Sequence, residues 1–196
     1  MKESLIIREA APDRWEDLEH LFGTHGACGG CWCMWWRMSQ GEFNRQKGEG
    51  NRKALRKIIA EGEIPGLLAY RDESPIGWVC VGPRERFARL ANSKVLAPVD
   101  DQPVWSVVCF YIARGRRRTG IGLDLLKAAA KFARDRGAKI LEGYPSAPKA
   151  GKQPDAFVWT GLESMFRKSG FRVAVRRGDA GRGIWRLKLV GKESLK

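Results

Sequence analysis

The sequence lacks any apolar run that approaches the roughly 20 residues needed to span a membrane. Its first ten residues, MKESLIIREA, lack the pattern of a secretory signal peptide. The five cysteines are an odd number, and two of them lie inside apolar, strand-like runs rather than in an even disulfide framework. We therefore expect a cytoplasmic protein with reduced thiols that makes no membrane contact.

The composition is that of one globular domain. The 196 residues are enough to bury a core, and neither an internal repeat nor a second domain is visible, so we expect a single domain over residues 1–196. Hydrophobic residues make up 43% of the chain, including eight Trp and eight Phe, which excludes a disordered chain.

The formal net charge of +14 makes nucleic acid a partner to consider. However, the basic clusters are scattered along the chain. No motif combines aromatic and basic residues in the way that proteins use to stack bases. We therefore do not expect nucleic acid to be the main partner.

The stretch from residue 104 to residue 137 predicts a strand, a tight turn and a helix. Residues 104–113 (VWSVVCFYIA) are rich in β-branched and aromatic residues and are bounded by Pro103 and Arg114, which favours a buried strand. The turn RGRRRTGIG follows it. From Ile121 onwards apolar residues recur on one helical face as far as Gly137, as in a helix that packs on a sheet.

The turn has the composition of an anion-binding site. Gly120 and Gly122 allow a ligand to come close to the backbone, and the start of the following helix adds free amide donors. Four arginines add positive charge that suits a pyrophosphate, namely Arg114, Arg116, Arg117 and Arg118. The sequence has neither GxxxxGK[ST] nor GxGxxG after the strand, which argues against a P-loop and against a dinucleotide fold.

This strand, turn and helix resemble motif A of the GNAT superfamily of acyl-CoA N-acyltransferases, whose pattern is Gln/Arg-x-x-Gly-x-Gly/Ala. Arg117, Gly120 and Gly122 fill the pattern, and the later FRKSGF resembles the family's LYEKLGF. The resemblance covers about residues 5–189. It implies an α/β fold of the α+β type, in which helices flank a mixed, mostly antiparallel central sheet with a splayed central strand pair.

The resemblance also implies an activity, the transfer of an acetyl group from acetyl-CoA to a primary amine by direct attack in a ternary complex. In the family, main-chain groups of the central strand bind the pantetheine arm, and the matching positions here are Phe110, Tyr111 and Ile112. The pyrophosphate would lie on the turn formed by Arg117, Arg118, Thr119, Gly120, Ile121 and Gly122. The acceptor would be an amine of a small molecule or of a protein, and the enzyme would be a monomer or a homodimer.

Proton transfer is where the sequence departs from the family pattern. Phe166 stands where the family often has a tyrosine that protonates the leaving thiolate, and Trp159 stands near the family's frequent asparagine. A thiol with a pKa of about 8.5 can leave without an acid. Otherwise a hydroxyl would replace the missing one, and the candidates are Tyr144, Tyr111 and Ser164.

For the general base, Glu142 is the first candidate, because it lies on the strand that ends in EGYP, and Glu163 is the second. For each carboxylate, a solvated or salt-bridged structural role is the alternative. Glu142 and Tyr144 are thus the predicted catalytic pair.

The segment GTHGACGGCWCMWWRM, residues 23–38, is open to three interpretations. Cys28, Cys31 and Cys33, together with His25 and His20, could ligate zinc, but no second CxxC or HxxxH completes a standard site. The thiols could instead serve redox regulation. By resemblance to the family, the segment would line the acceptor pocket through Trp32, Trp35, Trp36 and Arg37, and we favour this wall, or plain core, and predict no metal. The alternative function is a CoA- or metal-binding regulatory protein on the same fold.

The remaining elements are predicted from periodicity and turn residues. Helices are expected over residues 12–22, 51–60 and 160–169, the second of them capped by Asn51, and a short helix or wrap is expected over residues 83–92. Strands are expected over residues 5–8, 67–70, 76–81, 139–144, 171–175 and 184–189. Residues 40–50 and 146–155 are expected to be loops.

Overall fold

In a computed structural model, which describes residues 5–147, 158–177 and 182–189, the protein is built on one seven-stranded sheet. The strand order is β1-β2-β3-β4-β5-β7-β6. Only β4 and β5 are parallel, and every other neighbouring pair is antiparallel. The predicted mixed, mostly antiparallel sheet is therefore confirmed. Among the described residues, no helix is long and apolar enough to cross a membrane.

The strands lie close to where the sequence predicts them. Their bounds are Ile6–Glu9 for β1, Gly66–Arg71 for β2, Ser74–Pro83 for β3, Trp105–Ile112 for β4, Ile140–Gly143 for β5, Arg172–Val175 for β6 and Ile184–Lys188 for β7. β2 and β3 form the expected hairpin, with Arg71 opposite Ser74. The loop predicted at residues 146–155 falls largely outside the described residues.

Six α-helices flank the sheet in the described part of the chain. They are α1 (Trp15–Phe22), α2 (Gln40–Gln46), α3 (Glu49–Ala60), α4 (Ala88–Ala91), α5 (Ile121–Asp135) and α6 (Glu163–Lys168). Short 3-10 turns precede α1 at Pro12–Arg14 and α4 at Arg84–Arg86.

Two details of the N-terminal half were predicted wrongly. Residues 40–46 are helical rather than a loop, because Ser39 and Glu42 form a capping box: the Ser39 Oγ accepts a hydrogen bond from the Glu42 amide, and the Glu42 carboxylate accepts one from the Ser39 amide. Asn51 does not cap α3, which begins at Glu49. Its buried amide instead donates to the Gly30 carbonyl at 2.9 Å and so ties α3 to the segment of residues 23–38.

The sheet separates two hydrophobic cores. One face packs on α5, whose Ile121, Leu125 and Leu126 are buried. Gly77 on β3 lets this helix approach closely, since a Cβ there would lie 3.1 Å from side-chain atoms of Ile121 and Leu125. The other face packs on α1, α3 and the segment of residues 23–38. Because β3 is covered on both faces, it is apolar without alternation.

The pair β4 and β5 is joined over only three residue pairs, from Trp105 opposite Leu141 to Val107 opposite Gly143. Beyond Val107 the two strands part. The outer edge of β4 bonds to other groups there: the Trp36 indole donates to the Val108 carbonyl at 3.0 Å, and the Phe110 amide donates to the Trp159 carbonyl at 2.7 Å. The central pair is therefore splayed, and the opening positions the site.

Candidate active site

A cavity of about 1100 Å³ lies along the splayed half of β4. Its floor includes the strand residues Cys109, Phe110, Tyr111 and Ile112. One part of its surface, here called the basic wall, is formed by Arg117, Arg118, Gly120, Gly122 and Lys168. Another part, here called the aromatic wall, is formed by Phe22, Ala27, Cys28, Gly29, Cys31, Cys33, Trp35, Phe43, Lys47 and Trp78. The cavity thus connects a cationic surface to an apolar one through a strand edge.

The basic wall owes its shape to the turn between β4 and α5. Gly120 is the N-cap of α5 in the left-handed conformation, with φ of 91°, and a Cβ at this position would meet nothing within 4 Å. The Thr119 hydroxyl donates to the Arg116 carbonyl at 2.7 Å and closes the turn. Because the first amides of a helix have no intrahelical partner, the start of α5 presents N–H donors beside Gly120.

Arginine and lysine side chains add positive charge to the basic wall. The Arg117 Nε donates to the Ile112 carbonyl at 3.0 Å, which fixes that guanidinium at the end of β4. Arg118, itself at a positive φ of 63°, also lines the cavity. Lys168, at the end of α6, adds a cation that the sequence interpretation did not identify.

The structure brings together most of the predicted cofactor residues. Seven of the nine line the cavity: Phe110, Tyr111, Ile112, Arg117, Arg118, Gly120 and Gly122. The other two shape the turn from outside the cavity. Thr119 is exposed and bonds within the turn, and Ile121 is buried between α5 and β3.

Of the four residues predicted for the acceptor pocket, Trp35 alone lines the cavity. Trp32 is buried and stacks on Trp15 with ring centroids 6.1 Å apart. Trp36 is buried and bonds to β4. The Arg37 side chain is 5% exposed and forms an ion pair with Glu63 at 2.8 Å.

The aromatic wall contains residues that the sequence did not single out. Phe43 on α2 meets Trp35 edge to face at 5.1 Å, and Lys47 is the C-cap residue of the same helix. Phe22 and Trp78 enter from α1 and β3. Only Phe43 could have been placed from nearby sequence, because the Ser39 and Glu42 capping box indicates that it lies on a helix. Phe22 and Trp78 are brought to the cavity by the packing of the sheet, which sequence spacing does not reveal.

All five cysteines are free thiols, and four of them line the cavity, namely Cys28, Cys31, Cys33 and Cys109. The Trp78 indole donates to the Cys33 Sγ at 3.1 Å. Interaction with Cys109, together with burial, raises the pKa of the Cys33 thiol well above its usual value, and interaction with Cys33 and burial do the same for the pKa of Cys80. Burial also raises the pKa of Cys31. Within the described ranges, no group of three or more His, Cys, Asp and Glu side chains could hold a metal ion.

Glu142 and Tyr144 lie outside the cavity, fully buried in the sheet. The Glu142 carboxylate accepts hydrogen bonds from Arg84 at 3.1 Å, from Arg186 at 2.8 Å and from the Tyr144 hydroxyl at 2.9 Å. Burial, and next the charge of Glu142, raise the pKa of Tyr144. Both groups are therefore engaged with one another and with two guanidinium groups.

Of the other residues considered for proton transfer, some are buried outside the cavity and some line it. Glu163 is buried, outside the cavity, and paired with Arg176 at 2.5 Å. Phe166 is fully buried and packs edge to face on Phe171, with ring centroids 4.9 Å apart. Tyr111 and Ser164, in contrast, line the cavity.

The fold and the sequence both match known acetyltransferases. Among solved structures, PaiA N-acetyltransferase from Thermoplasma acidophilum in complex with coenzyme A is 18% identical, with a TM-score of 0.52 over 94% of this chain and 99% of that chain. A GNAT-family acetyltransferase from Streptococcus agalactiae is 14% identical, with a TM-score of 0.55 over 96% of each chain. The aminoglycoside N-acetyltransferase AAC(6')-Iy in complex with CoA is 13% identical, with a TM-score of 0.55 over 91% of this chain and 95% of that chain.

These identities are low, so the structural likeness shows the fold alone. No curated protein matches the sequence significantly. The model of the acetyltransferase (GNAT) family, however, matches residues 32–148, which is more than half of the chain. The chain therefore belongs to the GNAT family of acetyltransferases.

Proposed function

We propose that the protein transfers an acetyl group from acetyl-CoA to a primary amine by direct attack. The observation that carries this proposal is one cavity that joins the glycine- and arginine-lined turn to an apolar pocket along the part of β4 that has left β5. Two neighbours of the same fold were solved with CoA, which supports this cofactor class.

The pyrophosphate of CoA would lie against Gly120 and the start of α5, where backbone amides and the charges of Arg117, Arg118 and Lys168 converge. The pantetheine arm would extend along Phe110, Tyr111 and Ile112, using main-chain groups of the splayed strand edge. The thioester would then face the aromatic wall.

In the reaction, the amine nitrogen attacks the thioester carbonyl, a C–N bond forms and the C–S bond breaks. A backbone N–H of β4 other than that of Phe110, which donates to the Trp159 carbonyl, would stabilise the oxyanion of the tetrahedral intermediate. Orientation of the two substrates in one cavity supplies much of the rate. The amine loses a proton and the CoA thiolate gains one, and the Tyr111 and Ser164 hydroxyls are the cavity groups that could relay it.

Glu142 and Tyr144 enter this proposal as positioning residues. Their hydrogen bonds join β5 to Arg84 and to Arg186 on β7. The network therefore holds β5 in place beside β4, at the point where the two strands separate. A carboxylate that is shared between two guanidinium groups and is away from the cavity is a poor general base. We propose instead that the amine proton passes to the leaving thiolate through solvent and the Tyr111 and Ser164 hydroxyls.

The test is calorimetric titration of the protein with acetyl-CoA and, separately, with CoA, followed by measurement of thiol release with a panel of amines. Saturable binding at one site together with amine-dependent thiol release supports the proposal. An absence of binding overturns it.

One observation favours a second candidate, a CoA-binding regulatory protein without catalysis. Phe166 occupies the place of the family's usual acid and is buried away from the cavity. Tight CoA binding without thiol release from any amine would favour this candidate. The metal-dependent form of it has no support among the residues that the structure describes.

A further inference from the structure

We infer that the acceptor is an amino acid, with an aromatic or large apolar side chain that packs on the aromatic wall and a carboxylate that binds Lys47. This inference rests on the proposed function and names the substrate class of the same site. It is carried by three features of the aromatic wall: its rings, the arginine behind one of them and the lysine beside them.

The rings provide an apolar surface for a side chain. Trp35 is partly exposed to the cavity, and Phe43 meets it edge to face at 5.1 Å. Phe22 and Trp78 border the cavity behind this surface, are 3% and 0% exposed, and contact each other edge to face at 5.8 Å. An aromatic or branched apolar group that enters here exchanges water for ring contacts, which is favourable in proportion to the apolar area buried.

The arginine makes this surface a poor receptor for a second cation. The guanidinium of Arg89 lies 3.7 Å from the centroid of the Trp35 ring, while Arg89 itself is not part of the cavity wall. One face of the Trp35 ring is therefore already covered by a positive charge, which weakens the attraction of the ring for a second cation. Two guanidinium nitrogens of Arg89 are buried and have no hydrogen-bond partner among the described residues, so their charge is poorly screened. An acceptor with a second ammonium group would be repelled.

Lys47 adds a positive charge that is available to a ligand. It is the C-cap residue of α2, four residues after Phe43, and both side chains line the cavity. It lines the cavity and makes no hydrogen bond or ion pair with the residues that the structure describes. Its ammonium group can therefore meet a carboxylate beside the ring surface.

The position of Lys47 is built into the fold rather than left to a free loop. The Gly48 amide donates to the Gly30 carbonyl at 3.0 Å, and the Asn51 amide donates to the same oxygen at 2.9 Å. Gly30 leaves the room for this contact, because a Cβ there would lie 2.6 Å from the Gly48 nitrogen. The Lys47 stem passes over Gly29 and Gly30.

The experiment compares pairs of acceptors that differ by one group. L-tryptophan and tryptamine differ only in the carboxylate, and spermidine represents a cationic amine without a ring. We expect kcat/KM to be about tenfold or more higher for L-tryptophan than for tryptamine, as for one hydrogen-bonded ion pair, and lowest for spermidine. In Lys47→Met the ratio of L-tryptophan to tryptamine falls to about one. In the control Lys53→Met, which changes an exposed lysine on α3, the ratio stays as in the wild type.

Two kinds of failure are distinguishable. If acetyl-CoA binds but tryptamine or spermidine is used at least as well as L-tryptophan, or if the preference survives Lys47→Met, the amino-acid assignment is overturned and acetyl transfer stands. If acetyl-CoA binds and none of the three amines is acetylated, the assignment is overturned as well. If acetyl-CoA does not bind, the proposed function itself fails.

Discussion

Gly120 is the residue at which conformation and ligand binding are most closely linked. Its φ of 91° suits glycine, and the space around its Cα hydrogens opens towards the cavity. A side chain here would be strained and would occupy the place proposed for the pyrophosphate. Gly115, in the same turn, has a similar φ of 87° and equally open surroundings, but it is exposed and does not line the cavity.

Substitutions of Gly120 and Gly115 allow the effect of backbone strain to be distinguished from the effect on ligand binding. We expect Gly120→Leu and Gly115→Leu each to lower the free energy of unfolding by about 1–3 kcal/mol, the cost of a non-glycine residue in this conformation. We expect Gly120→Leu alone to abolish acetyl-CoA binding in a calorimetric titration. Equal affinity of the two variants would show that the turn does not hold the cofactor.

At Phe166 the sequence gives the chemistry of the side chain but not its location. A phenylalanine cannot donate a proton. The sequence does not show where the ring lies, and the structure places it in the core: a Cβ on Gly143 would lie 2.0 Å from the ring of Phe166. Gly143 therefore leaves the space that the ring fills, and in the proposed mechanism proton transfer depends on the hydroxyls that line the cavity and on solvent.

At the level of elements, the sequence predicts those helices, strands and turns that depend on residues close together in the chain. The strand β4, its turn and α5 were predictable because β-branched residues, glycines and a helical apolar stripe lie next to one another in sequence. The aromatic wall was not, because Trp32, Trp35 and Trp36 are equally aromatic and only their packing decides which of them faces the cavity. Ser39 and Glu42 indicate the start of α2, whereas the polar and glycine residues around them are typical of a loop.

The network around Glu142 joins three parts of the chain: Arg84 after β3, Glu142 on β5 and Arg186 on β7. Arg186 also bonds to Asp100 through both guanidinium ends, which lowers the pKa of Asp100. The side chains of Arg84 and Arg186 are 12% and 14% exposed. Removal of the carboxylate charge would therefore leave two poorly hydrated cations close together.

We expect Glu142→Gln to lower the free energy of unfolding by about 3–5 kcal/mol, as when one partner of a buried ion pair is removed. Urea unfolding measures this, and Glu85→Gln, which changes an exposed glutamate beside Arg84, is the control and should change stability little. The pH profile of kcat should keep its shape in Glu142→Gln. A stable Glu142→Gln protein whose turnover recovers at high pH would instead identify Glu142 as the base.

The thiols between β3, β4 and the segment of residues 23–38 link stability to pH. Cys33 and Cys80 are buried, and their pKa values in the folded protein are raised well above the 9.0 of an unperturbed thiol by interactions within the cluster and by burial. Above pH 9 the unfolded chain loses these protons and the folded protein keeps them. The stabilisation is thus fully present below pH 9 and is lost as the pH rises from there towards the folded-state pKa values.

We therefore expect the free energy of unfolding to fall above pH 9, by up to about 1.4 kcal/mol per pH unit for each such thiol. Urea unfolding at pH 7.5, 8.5, 9.5 and 10 measures the slope. In Cys80→Ala the slope should be shallower, and in Cys28→Ala, which removes an exposed thiol, it should match the wild type. Parallel curves for the wild type and Cys80→Ala would contradict the argument.

For the whole molecule, the electrostatic field is the interaction with the longest range. The net charge of +14 is spread over the surface, while the cavity concentrates three cations, Arg117, Arg118 and Lys168, on its basic wall. A cofactor with several phosphate charges is attracted by both the overall field and this local group. Salt weakens the overall field more than the attraction of the three nearby cations. The Debye length is about 10 Å at 0.1 M salt, so exposed charges further away are screened.

We expect the affinity for CoA to fall severalfold between 0.05 M and 0.3 M KCl, as the long-range field is screened. Arg118→Gln should weaken binding at every salt concentration and flatten the salt dependence, because this arginine contributes directly at the basic wall. Lys127→Gln, which removes an equal charge from the exposed side of α5, should change the affinity at low salt only slightly. Calorimetric titrations of the three proteins across the salt series test this. If the two variants lose affinity to the same extent, binding depends on net charge alone, and the assignment of the phosphate site to the turn before α5 would have to be withdrawn.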